Sequence, residues 1–99
     1  MSLTKNENYV LELYVTGMTA RSTRAILNIT KLLNEHLPGR YELEVIDLFQ
    51  QPSLEKSEQI IVTPTLIKKL PLPIRKFVGD MSDAEQIIVG LDLKPKAPE

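Results

Sequence analysis

The first half of the chain combines two hydrophobic periodicities that strongly constrain its fold. One face of a strand over Tyr9–Val15 would carry Tyr9, Leu11, Leu13 and Val15, because alternate residues share a face. An apolar stripe at three- and four-residue spacing follows, which predicts an amphipathic helix that buries Ala25, Ile26, Ile29, Leu32, Leu33 and Leu37. Tyr41 to Leu48 is a second strand pattern. This order predicts two parallel strands joined by a right-handed helical crossover.

Both ends of the predicted helix carry sequence signals. Gly17 interrupts the first strand, and the hydroxyl of Thr19 or Ser22 can cap the helix N-terminus. Pro38-Gly39 ends the helix, because glycine readily adopts the left-handed conformation that closes helices and proline cannot continue one. These signals indicate a helix that ends near residue 37.

The second half of the chain fits one helix, two strands and a final helix. The two strands are connected by a turn with two prolines, and Gly79-Asp80 forms the next turn. A Ser-x-x-Glu capping box, in which Glu85 would reach back to the Ser82 amide, precedes the last helix. The predicted elements cover 53–59, 65–70, 75–78 and the residues that follow the capping box Ser82-Asp83-Ala84-Glu85.

Local composition in the same segment also favours a different arrangement. Ile87-Ile88-Val89 is β-branched, and such side chains prefer strands. Gly90 inside a helix costs about 1 kcal/mol relative to alanine. The run Ile60-Ile61-Val62 fits a strand or a buried helix equally well. Two packings of residues 50–93 are therefore expected to lie close in energy.

Length and charge indicate one small globular domain. The chain has 99 residues, 42% hydrophobic and 25% charged, with a net charge of −1. Acidic and basic residues are mixed, which gives no basic stripe for nucleic acid. No apolar run approaches the roughly 20 residues that span a bilayer, and the N-terminus lacks the apolar core of a secretion signal. We expect one domain over 1–99, a frayed polar tail over 94–99, and a cytoplasmic location.

The residue inventory does not support catalysis. Cysteine is absent, which excludes disulfides, thiolate metal sites and thiol redox chemistry. His36 is the single histidine, and one histidine makes neither a triad nor a metal site. The four glycines lack the spacing of a phosphate-binding loop. We therefore predict no enzyme activity and no catalytic, cofactor-binding or metal-binding residue.

The segment Val62-Thr63-Pro64-Thr65-Leu66-Ile67 resembles the step that precedes the third strand of thioredoxin-like domains. An X-Pro bond adopts the cis form at modest cost, and a cis proline is usually a placed feature. In redox thioredoxins that proline faces a Cys-x-x-Cys pair, which this chain cannot form. The resemblance implies a thioredoxin-like scaffold used for binding.

A longer set of motifs resembles the circadian clock protein KaiB family. The resemblance covers about residues 9–93, and its segments keep their order and spacing. They are Leu11-Glu12-Leu13-Tyr14-Val15-Thr16-Gly17, Val45-Ile46-Asp47-Leu48, Val62-Thr63-Pro64-Thr65-Leu66, Leu70-Pro71-Leu72-Pro73-Ile74-Arg75-Lys76, Gly79-Asp80 and Gly90-Leu91-Asp92-Leu93.

The resemblance implies a single-domain α/β fold that switches. Family members have a β-α-β first half. Their second half is β-α-α-β in a homotetrameric ground state and α-β-β-α in a rare thioredoxin-like monomer. The monomer binds the ring of a KaiC-type ATPase. A tetramer or dimer with the ground-state fold is expected where the protein is concentrated.

Further partners follow from the same resemblance. KaiA and a SasA-type kinase are the additional candidates. Four features depart from the clock relatives: Glu44, Gln59, Leu72 and the short tail. A KaiC homologue is therefore the partner we expect, in a circadian or a related timing or stress system. The alternative is a SasA-type sensor domain that keeps one thioredoxin-like fold.

Two groups of site residues are predicted. Tyr9 and Arg24 match positions on the partner-binding side of the family, and the cations Arg75 and Lys76, which follow the proline turn, form a pair that could bind an acidic partner. The resemblance also implies that Gly90→Ala with Asp92→Arg favours the thioredoxin-like monomer. The predicted fold-switch residues are Thr63, Pro64, Pro71, Pro73, Gly90 and Asp92.

Overall fold

The computed structural model describes residues 8–51 and 63–93, which form one mixed α/β sheet structure. Its strands lie in the order β2-β1-β3-β4. β1 and β2 are parallel, as predicted from the first half, whereas β3 runs antiparallel to β1 and to β4. The elements are β1 Tyr9–Val15, α1 Ala20–His36, β2 Tyr41–Asp47, β3 Thr65–Leu70, β4 Arg75–Val78 and α2 Ala84–Gly90.

The described second half has the thioredoxin-like arrangement. The bounds of β3 and β4 agree with the strands predicted from the sequence, and α2 follows them. The helix predicted over 53–59 and the apolar run 60–62 lie outside the described residues. The ground-state fold of an oligomer stays a prediction, because the structure holds one chain.

The alternation of β1 places its side chains in two separate cores. Tyr9, Leu11, Leu13 and Val15 face α1 and α2 and form the larger core with residues of both helices. Tyr14 lies on the opposite face, where it packs with Ile46, Leu48 and Ile67. The central strand is therefore buried on both sides, which explains why so few of its residues are polar.

The N-terminus of α1 is capped by one of the two predicted alternatives, whereas the N-terminus of α2 is capped by a residue that the sequence did not single out. Thr19 Oγ1 accepts a hydrogen bond from the Ser22 amide at 3.1 Å, so Thr19 caps α1 and Ser22 does not. The capping box predicted at Ser82 is wrong. Asp83 caps α2 by accepting a bond from the Gln86 amide at 3.2 Å. The Ser82 amide donates instead to Asp80 Oδ1 at 3.1 Å.

Across the part of the chain that the structure describes, no helix has the length and apolar character needed to span a bilayer.

Candidate functional site

The Thr63-Pro64 step lies where two loops meet. The peptide bond between these residues is cis. The hydroxyls of Thr16 and Thr63 are 2.8 Å apart, which joins the step to the loop between β1 and α1. The Gly79 amide donates to the Pro64 carbonyl oxygen at 3.0 Å, which joins it to the end of β4. The step therefore connects the first and second halves of the sheet.

Two hydroxyls at the start of α1 have the spacing of a Cys-x-x-Cys pair. Thr19 Oγ1 donates to Ser22 Oγ at 3.1 Å, and Ser22 is buried. The sequence reasoning read these two residues only as alternative helix caps. With hydroxyls in place of thiols, the pair can hold the first turn of α1 but cannot exchange electrons.

The predicted partner-binding residues are not brought together in one patch. Arg24 lies on α1 with its side chain 54% exposed, and it contacts Asp80 at 4.0 Å. Arg75 and Lys76 are exposed on β4, at the edge of the sheet. They are consecutive in a strand and point to opposite faces: Arg75 lies opposite Lys68, whereas Lys76 lies opposite Ile67.

Tyr9 lies inside the molecule in this arrangement. Its exposure is 8%, and its hydroxyl donates to the Leu91 carbonyl oxygen at 3.0 Å. The ring therefore offers little surface to a partner, and the binding role of Tyr9 stays a prediction. Its observed contact connects the first strand to the end of α2.

Gly90 and Asp92 both lie at the C-terminal end of α2. A Cβ added at Gly90 would lie 2.5 Å from Phe77 Cζ, far inside van der Waals contact. Asp92 has a φ of 59°, in the left-handed region. Its carboxylate also stands at the negative end of the helix dipole, which disfavours an anion. The Phe77 contact opposes the expected gain from Gly90→Ala, whereas the dipole favours replacing Asp92 with an uncharged or basic residue.

Pro71 and Pro73 shape the connection between β3 and β4. The Leu70-Pro71 and Leu72-Pro73 peptide bonds are both cis. This turn exposes apolar side chains, since Leu72 and Ile74 are largely accessible. Leu70, the last residue of β3 before the turn, pairs with Val10, which follows Tyr9 in β1. The turn and the end of α2 are therefore both connected to the beginning of β1.

Asp80 anchors the loop before α2 to α1, a role that the sequence reasoning did not detect. Asn28 Nδ2 donates to the Asp80 carbonyl oxygen at 2.9 Å, and Arg24 lies near the Asp80 carboxylate. Hydrogen bonds from the Ser82 side chain and amide, with the charges of Arg24 and Arg21, hold the pKa of Asp80 below its usual range.

A polar cleft of about 340 Å³ opens beside this anchor. It lies between the N-terminal turn of α1 and the loop from β4 to α2, and Arg21, Arg24, Asp80 and Asp83 contribute its charged groups. Cations and anions are balanced along its wall. Among residues 8–51 and 63–93 no group of three or more side chains is placed to ligate a metal.

The sequence comparison decides the family. The model of the KaiB domain matches residues 12–93. The chain belongs to the KaiB family. It is 47% identical over 87 residues to the circadian clock protein KaiB3 of Synechocystis sp., covering 88% of this chain and 85% of the relative. It is 43% identical over 91 residues to the circadian clock oscillator protein KaiB of Synechococcus elongatus, covering 92% and 89%.

Solved structures agree on the fold of this KaiB-family chain. The N-terminal domain of SasA from Synechococcus elongatus superposes with a TM-score of 0.72 at 22% identity, covering 87% of this chain and 85% of that domain. Mitochondrial thioredoxin 3 from Saccharomyces cerevisiae gives a TM-score of 0.68 at 14% identity, with coverages of 91% and 82%. At these identities the likeness establishes a thioredoxin-like fold alone.

Proposed function

We propose that this KaiB-family protein is a non-enzymatic regulator that binds the ring of a KaiC-type ATPase. Binding would modulate the phosphorylation or ATPase cycle of that ring in a circadian or related timing system. In this proposal the protein is cytoplasmic, and its thioredoxin-like monomer binds the ring. A second fold of the 50–93 segment forms a tetramer or dimer that does not bind the ring. A SasA-type kinase would compete for the same ring, and KaiA is a further candidate partner.

One observation carries the proposal: a sequence of the KaiB family adopts the same fold as the N-terminal domain of SasA. Two proteins that share a fold can present similar surfaces to one partner. The exposed cations Arg24, Arg75 and Lys76 supply groups that acidic residues of an ATPase ring would recognise. The β-branched run Ile87-Ile88-Val89 and the helical Gly90 both disfavour a helix at the end of α2. These preferences support a second packing of this segment that differs little in free energy from the observed one.

Purified KaiC-type ATPase tests the proposal directly. Size-exclusion chromatography of the ring with this protein, in ATP and in ADP, should show a complex whose formation changes the ATPase rate. Arg24→Ala should weaken the complex, whereas Lys31→Ala should leave it intact, because Lys31 is another exposed cation farther along α1. Absence of a complex with KaiC homologues in both nucleotides would refute this function.

The alternative is a SasA-type interaction domain that keeps one fold, and the TM-score of 0.72 with SasA is the observation that favours it. Light scattering over a dilution series separates the two functions. A switching protein should pass from an oligomer to a monomer on dilution and change its amide NMR spectrum. A one-fold domain should keep one spectrum at every concentration.

A further inference from the structure

The two outer strands of the sheet carry opposite charge. β2 and β4 are these outer strands, and among residues 8–51 and 63–93 no strand pairs with the outer side of either. β2 contains carboxylates and no cation, whereas β4 contains cations and no carboxylate. The charged side chains are Glu42, Glu44 and Asp47 in β2, and Arg75 and Lys76 in β4. Charges on an edge strand oppose pairing with a like edge, but two edges of opposite sign attract each other.

The backbone of β4 offers hydrogen-bonding groups at its outer side. The Gly79 amide donates to the Pro64 carbonyl oxygen, so the backbone groups of Gly79 are directed towards β3. Because this direction alternates along a strand, Phe77 is also directed towards β3. The N–H and C=O groups of Lys76 and Val78 therefore point outward, where a further strand can bond to them.

The backbone of β2 is open at its own outer side. The Arg40 carbonyl oxygen, just before β2, accepts a bond from the Tyr9 amide at 2.9 Å. The Leu48 amide, just after β2, donates to the Val15 carbonyl oxygen at 2.8 Å. The even-numbered residues of β2 are therefore directed towards β1, and the backbone groups of the odd-numbered residues point outward.

These directions allow a parallel pairing of β2 with β4 in which the side chains also match. The register that places Glu44 opposite Lys76 brings the outward groups of the two strands together in a parallel ladder. Glu44 shares its face of β2 with Ile46, which belongs to the smaller of the two cores. Lys76 lies opposite Ile67 of the same core, so the two charges meet on one side of the sheet. Two residues farther along, Val78, which is 64% exposed, would lie opposite Ile46.

The helix layer allows a second copy to continue the sheet. α1 and α2 both pack on the face of β1 that carries Leu11 and Leu13. Four strands about 4.8 Å apart make a sheet about 19 Å wide, and two helices about 8–10 Å apart occupy about the same width. Parallel pairing keeps the helices of both copies on one face, so their helix layers lie side by side.

We propose that the β2 edge of one copy of this chain pairs in parallel with the β4 edge of a second copy, with Glu44 beside Lys76. The two edges are different surfaces, so the contact is head-to-tail and leaves a free edge at each end of the assembly. The contact is a single strand pair, so the association is weak and requires a high protein concentration. The pairing goes beyond the proposed function and does not depend on it.

Charge exchange at the two edges tests the pairing. In sedimentation of the full chain at low salt, the mean mass should rise with concentration and not level off at a dimer, because the assembly stays open. Glu44→Lys and Lys76→Glu should each remove this rise, because each places like charges opposite one another. An equimolar mixture of the two variants should regain it, because each variant supplies the edge that the other lacks. Lys31→Glu alters the net charge as Lys76→Glu does, but on α1, and should keep the rise.

Disulfide formation tests the register, and the chain has no cysteine, so only introduced thiols react. A Glu44→Cys chain mixed with a Lys76→Cys chain should cross-link in oxidised glutathione, because strands about 4.8 Å apart place opposed residues within disulfide range. Glu42→Cys mixed with Lys76→Cys should cross-link less, since two residues displace the thiol by about 7 Å along the strand.

Three results would each overturn the inference. The first is a mass of the parent chain that does not rise with concentration. The second is self-association that persists in both charge variants, or that their mixture fails to regain. The third is equal cross-linking from positions 42 and 44.

Discussion

The hydroxyl of Tyr9 and the carbonyl oxygen of Leu91, 82 positions apart, are joined by a buried hydrogen bond of 3.0 Å. Tyr9 begins the central strand, and Leu91 caps the C-terminal end of α2. The bond therefore connects the half of the chain whose fold is unambiguous from sequence to the half for which the sequence predicts two competing arrangements. Substitutions on either side of this bond should change the stability of the observed arrangement.

Removal of the Tyr9 hydroxyl should weaken the thioredoxin-like arrangement. Tyr9→Phe keeps the ring and leaves the buried Leu91 carbonyl without this donor, which should cost about 1–3 kcal/mol of unfolding free energy. Urea unfolding of the monomer measures the loss. Tyr41→Phe is the control, because the Tyr41 hydroxyl donates to Asn34 Oδ1 at an exposed site. An equal loss in both variants would contradict a special role for Tyr9.

Asp80 should make the stability of this arrangement depend on pH at the acid end. Its pKa lies below the ordinary value of 3.8, because Ser82 and two arginines favour the carboxylate in the folded chain. The stabilisation is therefore fully present above the unfolded-state pKa and is lost as the pH falls towards the lower folded-state pKa. Asp80→Asn should lower stability at neutral pH and flatten the acid limb of the curve. An unchanged acid limb would exclude this role of Asp80.

The local pattern predicted the first strand well because alternation and β-branched residues mark it directly in Tyr9–Val15. The α2 cap was missed because the Ser82 amide is taken by Asp80, whose loop is held by Asn28 from a distant helix. The burial of Lys68, which lies in β3 and is 1% exposed, likewise could not be predicted from the local sequence. It depends on which strands pair, and residue type alone predicts an exposed lysine.

Gly90 should be coupled to Phe77. Alanine at position 90 gains about 1 kcal/mol of helix propensity, but its Cβ overlaps the Phe77 ring. Gly90→Ala should therefore stabilise the arrangement more in a Phe77→Ala background than in the parent chain. A double-mutant cycle on unfolding free energies should give a coupling of about 0.5–3 kcal/mol. Additive effects would show that the ring moves away without cost.

The charge of Asp92 should oppose α2. Asparagine tolerates the left-handed backbone of this position and removes the unfavourable interaction with the helix dipole. Asp92→Asn should raise the unfolding free energy by about 0.3–1 kcal/mol at low ionic strength, and less in salt. Glu85→Gln is the control. Glu85 lies in the first turn of α2, where the dipole favours an anion, so this substitution should lower the unfolding free energy. A stabilisation that does not depend on salt would show that the helix dipole is not its cause.

Cysteines at Thr19 and Ser22 should restore a redox pair to this scaffold. The two side-chain oxygens are 3.1 Å apart at the first turn of α1, so thiols in their place can approach closely enough to bond. Thr19→Cys with Ser22→Cys should form a reversible disulfide in a glutathione buffer, measured by thiol titration. Ala20→Cys with Thr23→Cys has the same spacing one residue farther into the helix and should oxidise less. Equal oxidation of both pairs would show that the start of α1 confers no special geometry on the pair.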